Sequence, residues 1–327
     1  MWILACALPT LLPAATLSIA GRAFLLDGQP FDMWGIRTAS ASQTPEFTAA
    51  LIANLDAYRA HGVNTVSLYY MGSSAGYSDP FSSDGSSVAA DHQSRMDLLI
   101  DACNARDMVV IVGIFYQRSD HPQLRDWEAA KQAVRTVTNA LRRHSNIIIN
   151  IANEQNSSRY EQMPWKGVRQ VNGVLELSRI VKEVHPERLV GAGGYQHDNN
   201  REIGLASEID TLLFDTNGPE SSGDLYTRFR AAGIDKPIVN VETFGAWTAR
   251  FKPQGVFTDE IRNAYLSEIA HAAREDGLYL HFHNNPWIQA APPEKVRYEL
   301  GGQGTADDPG IRWYFEAVKA AVRRSNP

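Results

Sequence analysis

Eight short apolar segments alternate with eight longer segments of helical character along this chain, and this alternation limits the fold more than any other feature. Strands that alternate with helices are typical of βα units, whose strands form a parallel sheet. Eight such units close a sheet into a barrel. We therefore predict an α/β protein with a (β/α)8 TIM barrel. The predicted strands are residues 33–36, 63–69, 108–115, 146–152, 189–193, 211–214, 238–241 and 278–282.

The helical segments carry boundary signals. Thr44 can cap the first helix, Pro45 suits its first turn and Gly62 ends it. Ahead of the barrel, three short apolar segments joined by tight turns predict a short N-terminal β-hairpin over residues 16–31. No linker interrupts the rest, so residues 16–327 are predicted to form a single domain. The predicted helices are residues 45–61, 91–106, 124–144, 168–184, 259–275 and 311–323, with a short helix after the fifth and sixth strands.

Residues 1–15 contain no charged side chain and are mostly apolar. They are too short to span a bilayer, and Pro9 and Pro13 would break a helix. Because the segment ends in Pro13-Ala14-Ala15, it resembles a secretory signal peptide, and we predict a secreted or periplasmic protein. Leu4-Ala5-Cys6 also resembles a lipoprotein cleavage box. Apart from a signal or lipid anchor, no membrane association is predicted.

The composition excludes several classes of protein. The net charge is −6 and no run of lysine and arginine occurs, which argues against a nucleic-acid partner. Cys6 and Cys103 are the only cysteines, so neither a disulfide framework nor a Cys/His zinc motif is present in the sequence.

Two predicted strands end in a glutamate: Glu154 follows the fourth strand, directly after Asn153, and Glu242 follows the seventh. In (β/α)8 barrels, catalytic groups lie at the carboxyl ends of the strands. A carboxylate at the end of a buried strand is costly to desolvate, although each glutamate could also simply point to water. Two carboxyl groups suit a reaction in which one donates a proton and the other attacks, and glycoside hydrolysis is the leading example.

These residues carry a family resemblance. Asn153-Glu154, Glu242, Trp287 just past the eighth strand, and the opening segment 24–31 resemble the retaining glycoside hydrolases of clan A, nearest to the cellulase family, glycoside hydrolase family 5. The resemblance implies that Glu154 is the general acid/base and Glu242 the nucleophile. It also implies that Asn153 binds the sugar 2-hydroxyl and that Trp287 stacks under the sugar ring.

The chain departs from the family pattern at two strands. The second strand ends in Leu68-Tyr69-Tyr70, where an arginine is usual, and Arg37 after the first strand could supply that cation. The sixth strand lacks the usual histidine and tyrosine. Tyr195, Gln196 and His197 are candidates to replace them. Further aromatic and polar side chains at strand ends are predicted to contact the sugar, and with those just named the predicted substrate-binding set is Asn153, Trp287, Arg37, Tyr69, Tyr195, His197, Trp247 and His283.

The resemblance implies a carbohydrate substrate, no metal and no organic cofactor, and we predict a monomer. Two alternatives stay open. The missing family residues could mean a sugar-binding barrel without catalysis. His281 and His283 could instead bind a metal with Asp198, His197 or His121, as in a metal-dependent hydrolase. Residues 72–76 match the Gly-x-Ser-x-Gly pattern of serine hydrolases, but a turn follows where that motif needs a helix.

Overall fold

A computed structural model describes residues 15–72, 79–117, 123–249, 254–284, 287–289 and 296–325. They form a three-stranded antiparallel sheet followed by a closed barrel of eight parallel strands. The small sheet contains β1 (Leu17–Ala20), β2 (Ala23–Leu26) and β3 (Gln29–Phe31). The barrel contains β4 (Trp34–Arg37), β5 (Thr65–Tyr69), β6 (Val109–Phe115), β7 (Ile147–Ala152), β8 (Leu189–Ala192), β9 (Thr211–Asp215), β10 (Ile238–Thr243) and β11 (Leu278–Phe282). Pairing of β11 with β4 closes it.

Helices surround the barrel, and four of them begin where the sequence places a capping residue. Thr44, Asp126, Ser221 and Thr258 each accept a hydrogen bond from a backbone N–H of the first helical turn. The helices are α1 (Pro45–Arg59), α2 (Ala90–Asn104), α3 (Trp127–Ala140), α4 (Val171–Val184), α5 (His197–Leu205), α6 (Ser222–Ala231), α7 (Gly245–Ala249), α8 (Asp259–Ala272) and α9 (Arg312–Ser325), with 3-10 turns at Ser158–Gln162 and Lys166–Arg169.

The barrel strands are buried on both faces. Every residue of β5, β6, β7, β9, β10 and β11 is buried, because one face packs inside the barrel and the other under the helices. This explains why these segments are nearly continuous apolar runs in the sequence.

The small N-terminal sheet covers the amino-terminal end of the barrel. Leu17, Phe24 and Phe31 form one apolar cluster with barrel residues that include Val109 and Val239, near the beginnings of their strands. With that end covered, the carboxyl ends of the strands remain as the end where a site can form.

The predicted barrel and the short N-terminal antiparallel element are confirmed. Strand and helix boundaries shift by a few residues, and the hairpin has a third strand. Helix α7, between the predicted strand over residues 238–241 and the predicted helix over residues 259–275, was not anticipated. No helix in the described ranges is both long and apolar enough to cross a bilayer. Residues 1–14 of the predicted signal peptide, most of the Gly-x-Ser-x-Gly segment and His121 lie outside the described residues.

Candidate active site

Glu242 lies on β10 where the strand pairing is irregular. The register that pairs Asn240 with both neighbouring strands slips before Glu242 and Thr243 pair again. Such a β-bulge bends the strand locally and redirects a side chain. The side-chain Oδ1 of Asn240 accepts a hydrogen bond from the backbone N–H of Glu242 (3.2 Å). The bulge therefore sets the direction of the Glu242 side chain at the carboxyl end of the barrel.

The Glu242 carboxylate lies beside a cation. Its Oε2 is 3.1 Å from Nε of Arg37, and because the N–H is not aligned for a hydrogen bond, the contact is an ion pair. Its Oε1 is 3.7 Å from Nε2 of His283. Gly245 allows this placement, since a Cβ at that position would lie 2.1 Å from Oε1. Glu242 is only 7% exposed, so the charge of Arg37 acts on it with little screening.

Arg37 is fully buried, and its guanidinium connects several strand ends. Nη2 donates to Oδ1 of Asn153 (2.6 Å) and to the Tyr116 hydroxyl (3.4 Å), and Nη1 donates to the Tyr69 hydroxyl (3.3 Å). Burial lowers the pKa of Arg37, but the neighbouring Glu242 carboxylate and the two phenols outweigh it and hold the pKa well above the ordinary value. Arg37 is therefore a permanent cation beneath the site.

Glu154 has a different environment. It follows β7 with φ 43°, a left-handed conformation that is uncommon for residues other than glycine and is often found at functional sites. Nε2 of Gln117 donates to its Oε2, and Nδ2 of Asn217 donates to its Oε1 (2.9 Å). Both donors are neutral amides, and Glu154 is partly exposed. Its carboxyl group can exchange protons with solvent.

A continuous chain of polar contacts joins the two glutamates. Glu242 pairs with Arg37, which donates to Asn153 Oδ1. Nδ2 of Asn153 in turn donates to Oε1 of Gln117 (2.9 Å), which contacts Glu154. Asn153 is therefore buried between the two carboxyl groups and is oriented from both sides.

Tyr69 supports this series of polar contacts from below. Its hydroxyl donates to Oδ1 of Asn153 (3.3 Å) and accepts from Nδ2 of Asn150 (3.0 Å). Burial is the main cause that raises the pKa of Tyr69 to about 12, so the phenol stays neutral. Its ring lies against Gly113, where a Cβ would come within 2.0 Å. Tyr69 is therefore buried as a support of the site.

Trp287 is largely covered by protein. It is 4% exposed, and its Nε1 donates to the carbonyl of Glu299 (2.6 Å). The Arg297 guanidinium lies 4.9 Å from the ring centroid, and Gly255 and Gly301 lie so close that a Cβ on either would touch the ring. Stacking of Trp287 under a sugar stays a prediction. In this arrangement little of its ring is accessible.

Trp247 is the more accessible tryptophan. It lies on α7, is only partly buried, and packs edge-to-face against Phe244 (5.2 Å between ring centroids). Phe244 has φ 58°, a second left-handed residue close to a catalytic strand end.

Tyr195 and His197 follow β8, the fifth strand of the barrel. The half-buried Tyr195 precedes α5, and its backbone N–H donates to Oδ1 of Asn156 (2.8 Å). His197 pairs with Glu220 (3.5 Å) and packs edge-to-face against Phe214. The structure thus connects His197 to Glu220 rather than to either glutamate of the site.

His281 and His283 occupy different layers. Nδ1 of His281 is bonded to the Ser67 hydroxyl (2.8 Å) deep in the barrel, and burial lowers the pKa of His281 to about 3. His283 is one layer higher, beside Glu242. In the part of the chain that the structure describes, no three His, Cys, Asp or Glu side chains are grouped so as to hold a metal ion.

Three site residues were missed by sequence reasoning as functional groups. Gln117 and Asn217 hold Glu154, and Asp215 at the end of β9 is a buried carboxyl group. Their common signal is a polar residue at or just after the carboxyl end of an apolar strand. At the sixth strand the family resemblance predicts a histidine and a tyrosine, and the polar residues present there instead, Asp215 and Asn217, do not match that pattern.

Comparison with known proteins identifies the family of the chain. Residues 25–212 match the family described as Cellulase (glycosyl hydrolase family 5). That range includes Glu154 and ends before Glu242. None of the curated proteins matches the chain.

Several solved structures share the fold at low sequence identity. The endo-1,4-β-mannanase of Rhizomucor miehei has 17% identity and a TM-score of 0.64. The match covers 95% of this chain and 99% of the mannanase chain. The glycoside hydrolase family 5 mannosidase of the same fungus has 13% identity and a TM-score of 0.67. The match covers 96% of this chain and 98% of the mannosidase chain. A larger protein of Bacteroides vulgatus ATCC 8482 has 14% identity and a TM-score of 0.67, covering 95% of this chain, which spans 61% of its length.

Proposed function

Because this chain belongs to the cellulase family, glycosyl hydrolase family 5, we propose that it is a retaining glycosidase that cleaves β-glycosidic bonds of a poly- or oligosaccharide. The observation that carries the proposal is the unequal environment of two carboxyl groups at one barrel mouth. Glu242 is paired with a buried guanidinium, whereas Glu154 is held by neutral amides.

This inequality assigns the roles. A neighbouring guanidinium favours the ionised form of a carboxylate, so Glu242 is available as a nucleophile. The amides of Gln117 and Asn217 that hold Glu154 are neutral, and its side chain is partly exposed, so it can carry the proton that the leaving oxygen requires. Two carboxyl groups in contrasting environments are the usual basis for dividing acid and nucleophile.

In the first step, Glu242 attacks the anomeric carbon while Glu154 protonates the departing oxygen, giving a glycosyl-enzyme ester and the free aglycone. In the second step, Glu154 takes a proton from water, and the hydroxide attacks the same carbon and releases Glu242. Two inversions give net retention. The route requires the two carboxyl groups to lie about 5 to 5.5 Å apart, and a gap of about 6.5 to 9.5 Å would favour inversion instead.

Asn153 stabilises the transition state in this scheme. Its Oδ1 is bonded by Arg37 and its Nδ2 by Gln117, so the amide is held in one orientation. A fixed group beside the 2-hydroxyl can strengthen its hydrogen bond as positive charge develops on the sugar ring. Fixing it beforehand saves the cost of ordering it during the reaction.

The substrate is proposed to be a neutral β-linked glycan. Two of the similar structures carry the names of mannan-active enzymes, so β-1,4-mannan and its oligosaccharides head a panel that also contains β-glucan, xylan and galactan. Trp247, on the loop after β10, is the accessible aromatic ring for stacking. We also propose that the protein acts as an exported monomer, which the sequence of residues 1–15 motivates.

The test is product stereochemistry. The purified enzyme is incubated with the panel, and proton NMR follows which anomer appears first. Retention gives the β-anomer before mutarotation. Trapping with a dinitrophenyl 2-deoxy-2-fluoroglycoside, followed by peptide mapping, should place the label on Glu242. An α-anomer as first product would replace the double displacement by inversion, and sugar binding without cleavage would identify a non-catalytic barrel.

A further inference from the structure

Asp215 is a buried carboxyl group that the two-glutamate mechanism does not use. It ends β9, and its Cα is the register partner of Glu242 on the adjacent strand β10. Adjacent strands lie about 4.8 Å apart, so the two residues are neighbours at the barrel mouth. Asp215 is 1% exposed, and its backbone N–H donates to the carbonyl of Gly194 (3.1 Å). The backbone therefore fixes where this side chain begins.

One oxygen of the Asp215 carboxyl group lacks a hydrogen-bond partner among the described residues. This oxygen, Oδ1, is buried. The cation in range, Arg37, already contacts Glu242, Asn153, Tyr69 and Tyr116. A buried polar atom without a hydrogen bond costs stability, so a group that is kept in this condition calls for an explanation.

The surrounding charges favour the neutral form of Asp215. Among the described residues, the carboxyl groups of Glu242 and Glu154 and the guanidinium of Arg37 face it in the same site. The other facing titratable groups are the phenols of Tyr69, Tyr160 and Tyr195. Burial, and then the charges of Glu242 and Glu154, raise the pKa of Asp215 well above its usual range.

A neutral carboxylic acid has an O–H to donate. A sugar bound at this end of the barrel would bring oxygen atoms that can accept a hydrogen bond. Asn217, two residues further along, reaches Glu154, so the segment after β9 lies beside both catalytic groups. We propose that Asp215 is a substrate-contacting residue of the cleavage subsite, a neutral acid that donates a hydrogen bond to an oxygen of the bound sugar. The inference rests on the proposed function, and it specifies an uncharged sugar rather than an amino sugar, which would require an anion here.

The test compares Asp215→Asn with Asp215→Ala. An asparagine amide is nearly isosteric and can donate, so Asp215→Asn should keep kcat/KM within about threefold of wild type on a β-glycoside of the panel. Asp215→Ala cannot donate and should lose about 10- to 100-fold, because a hydrogen bond made to the sugar is removed. Since wild type and Asp215→Asn are both neutral at this position below the raised pKa of Asp215, their pH–rate profiles should superimpose in that range.

Stability provides a readout that separates this role from a structural one. Between the pKa of an unfolded aspartate, about 3.9, and the raised pKa of folded Asp215, the folded state holds a proton that the unfolded state has lost. Wild-type stability therefore falls as pH rises through that window. Asp215→Asn removes this loss, so its melting temperature should match wild type near pH 4 and exceed it increasingly at higher pH.

The control is Asp32→Asn. Asp32 accepts a hydrogen bond from Trp34 (2.8 Å) ahead of β4, at the opposite end of the barrel, so this variant should leave kcat/KM unchanged. Monodeoxy glycosides then locate the contact, because the penalty of Asp215→Ala should vanish on the analogue that lacks the acceptor oxygen.

Three outcomes would overturn the inference. Asp215→Asn as impaired as Asp215→Ala would mean that an anion is needed, as for an amino sugar. Asp215→Ala with wild-type kinetics would mean that no contact exists. A loss of stability in Asp215→Asn at every pH would mean a structural role. If the wild-type protein cleaves no glycoside, the proposed function itself fails, and that result is distinguishable from all three.

Discussion

The two halves of the barrel mouth surround their glutamates with different electrostatic environments. On the β10 side, Glu242 is nearly buried and lies beside Arg37, which is itself fully buried. On the β7 side, Glu154 is partly exposed and is held by the amides of Gln117 and Asn217. A buried carboxylate without a cation would be very costly, whereas a carboxyl group that must gain and lose a proton needs access to water. The same residue type thus has two contrasting environments at one barrel mouth.

Both halves also contain irregular backbone. Glu154 is left-handed, and on the other side the β-bulge precedes Glu242 and Phe244 is left-handed. Departures of this kind cost about 1–3 kcal/mol each and persist where the surrounding structure holds them. Arg37 and Asn153 connect the halves, so a change on one side can be detected on the other.

The largest difference between the halves should appear on removing the nucleophile. Glu242→Ala should lower kcat by on the order of 10⁴-fold or more for every substrate, because no glycosyl-enzyme ester can form. Steady-state rates on both natural glycans and activated aryl glycosides test this. A variant that keeps most of its activity on either class would refute the nucleophile assignment.

Removing the acid/base should have a smaller and substrate-dependent effect. Glu154→Ala should slow cleavage of unactivated glycans by about 10²- to 10⁴-fold. Dinitrophenyl glycosides should still form the ester, because that leaving group departs without protonation, and the ester should then accumulate. Azide should rescue turnover and give the β-glycosyl azide, identified by NMR. Equal losses for both leaving groups, with no azide product, would contradict the role of Glu154.

Replacing the Arg37 cation should slow attack by Glu242 without abolishing it. Arg37→Lys keeps the charge but cannot contact Glu242, Asn153 and Tyr69 together, so kcat should fall by about 10- to 100-fold. Arg22→Lys is the matched control, because Arg22 is exposed and pairs with Asp235 away from the site. If both substitutions leave kcat unchanged, the simultaneous contacts of the Arg37 guanidinium are not needed for attack.

The smallest effect is expected from one amide on the Glu154 half. Asn217→Ala removes a neutral hydrogen bond, worth about 0.5–1.5 kcal/mol, so kcat/KM should fall by about 3- to 10-fold. The loss should be greater for poor leaving groups, which depend on Glu154 as acid. Asn199→Ala serves as control, because the half-buried Asn199 of α5 donates to Gln196 and not to Glu154. A loss that is the same for every leaving group would show that Asn217 does not act through Glu154.

The sequence alone was sufficient for the fold, and it indicated the position of the two glutamates at strand ends. Eight apolar segments with helical segments between them have few other ways to bury their surface, and the end of an apolar strand is a position that can be counted along the chain. The family resemblance then added roles for Glu154 and Glu242. Arg37 was also proposed from sequence as the cation that replaces the family arginine, and the structure places it against Glu242.

The partners of these groups were decided only by the closed barrel. Arg37 and Asn153 are separated by 116 residues and meet because β4 and β7 point their carboxyl ends to one mouth. Gln117, Asp215 and Asn217 gain their contacts in the same way. Hydrophobic periodicity specifies which face of a strand is buried, but not which polar ends will converge. Convergence depends on barrel closure and strand register, which are properties of the whole sheet rather than of any one segment.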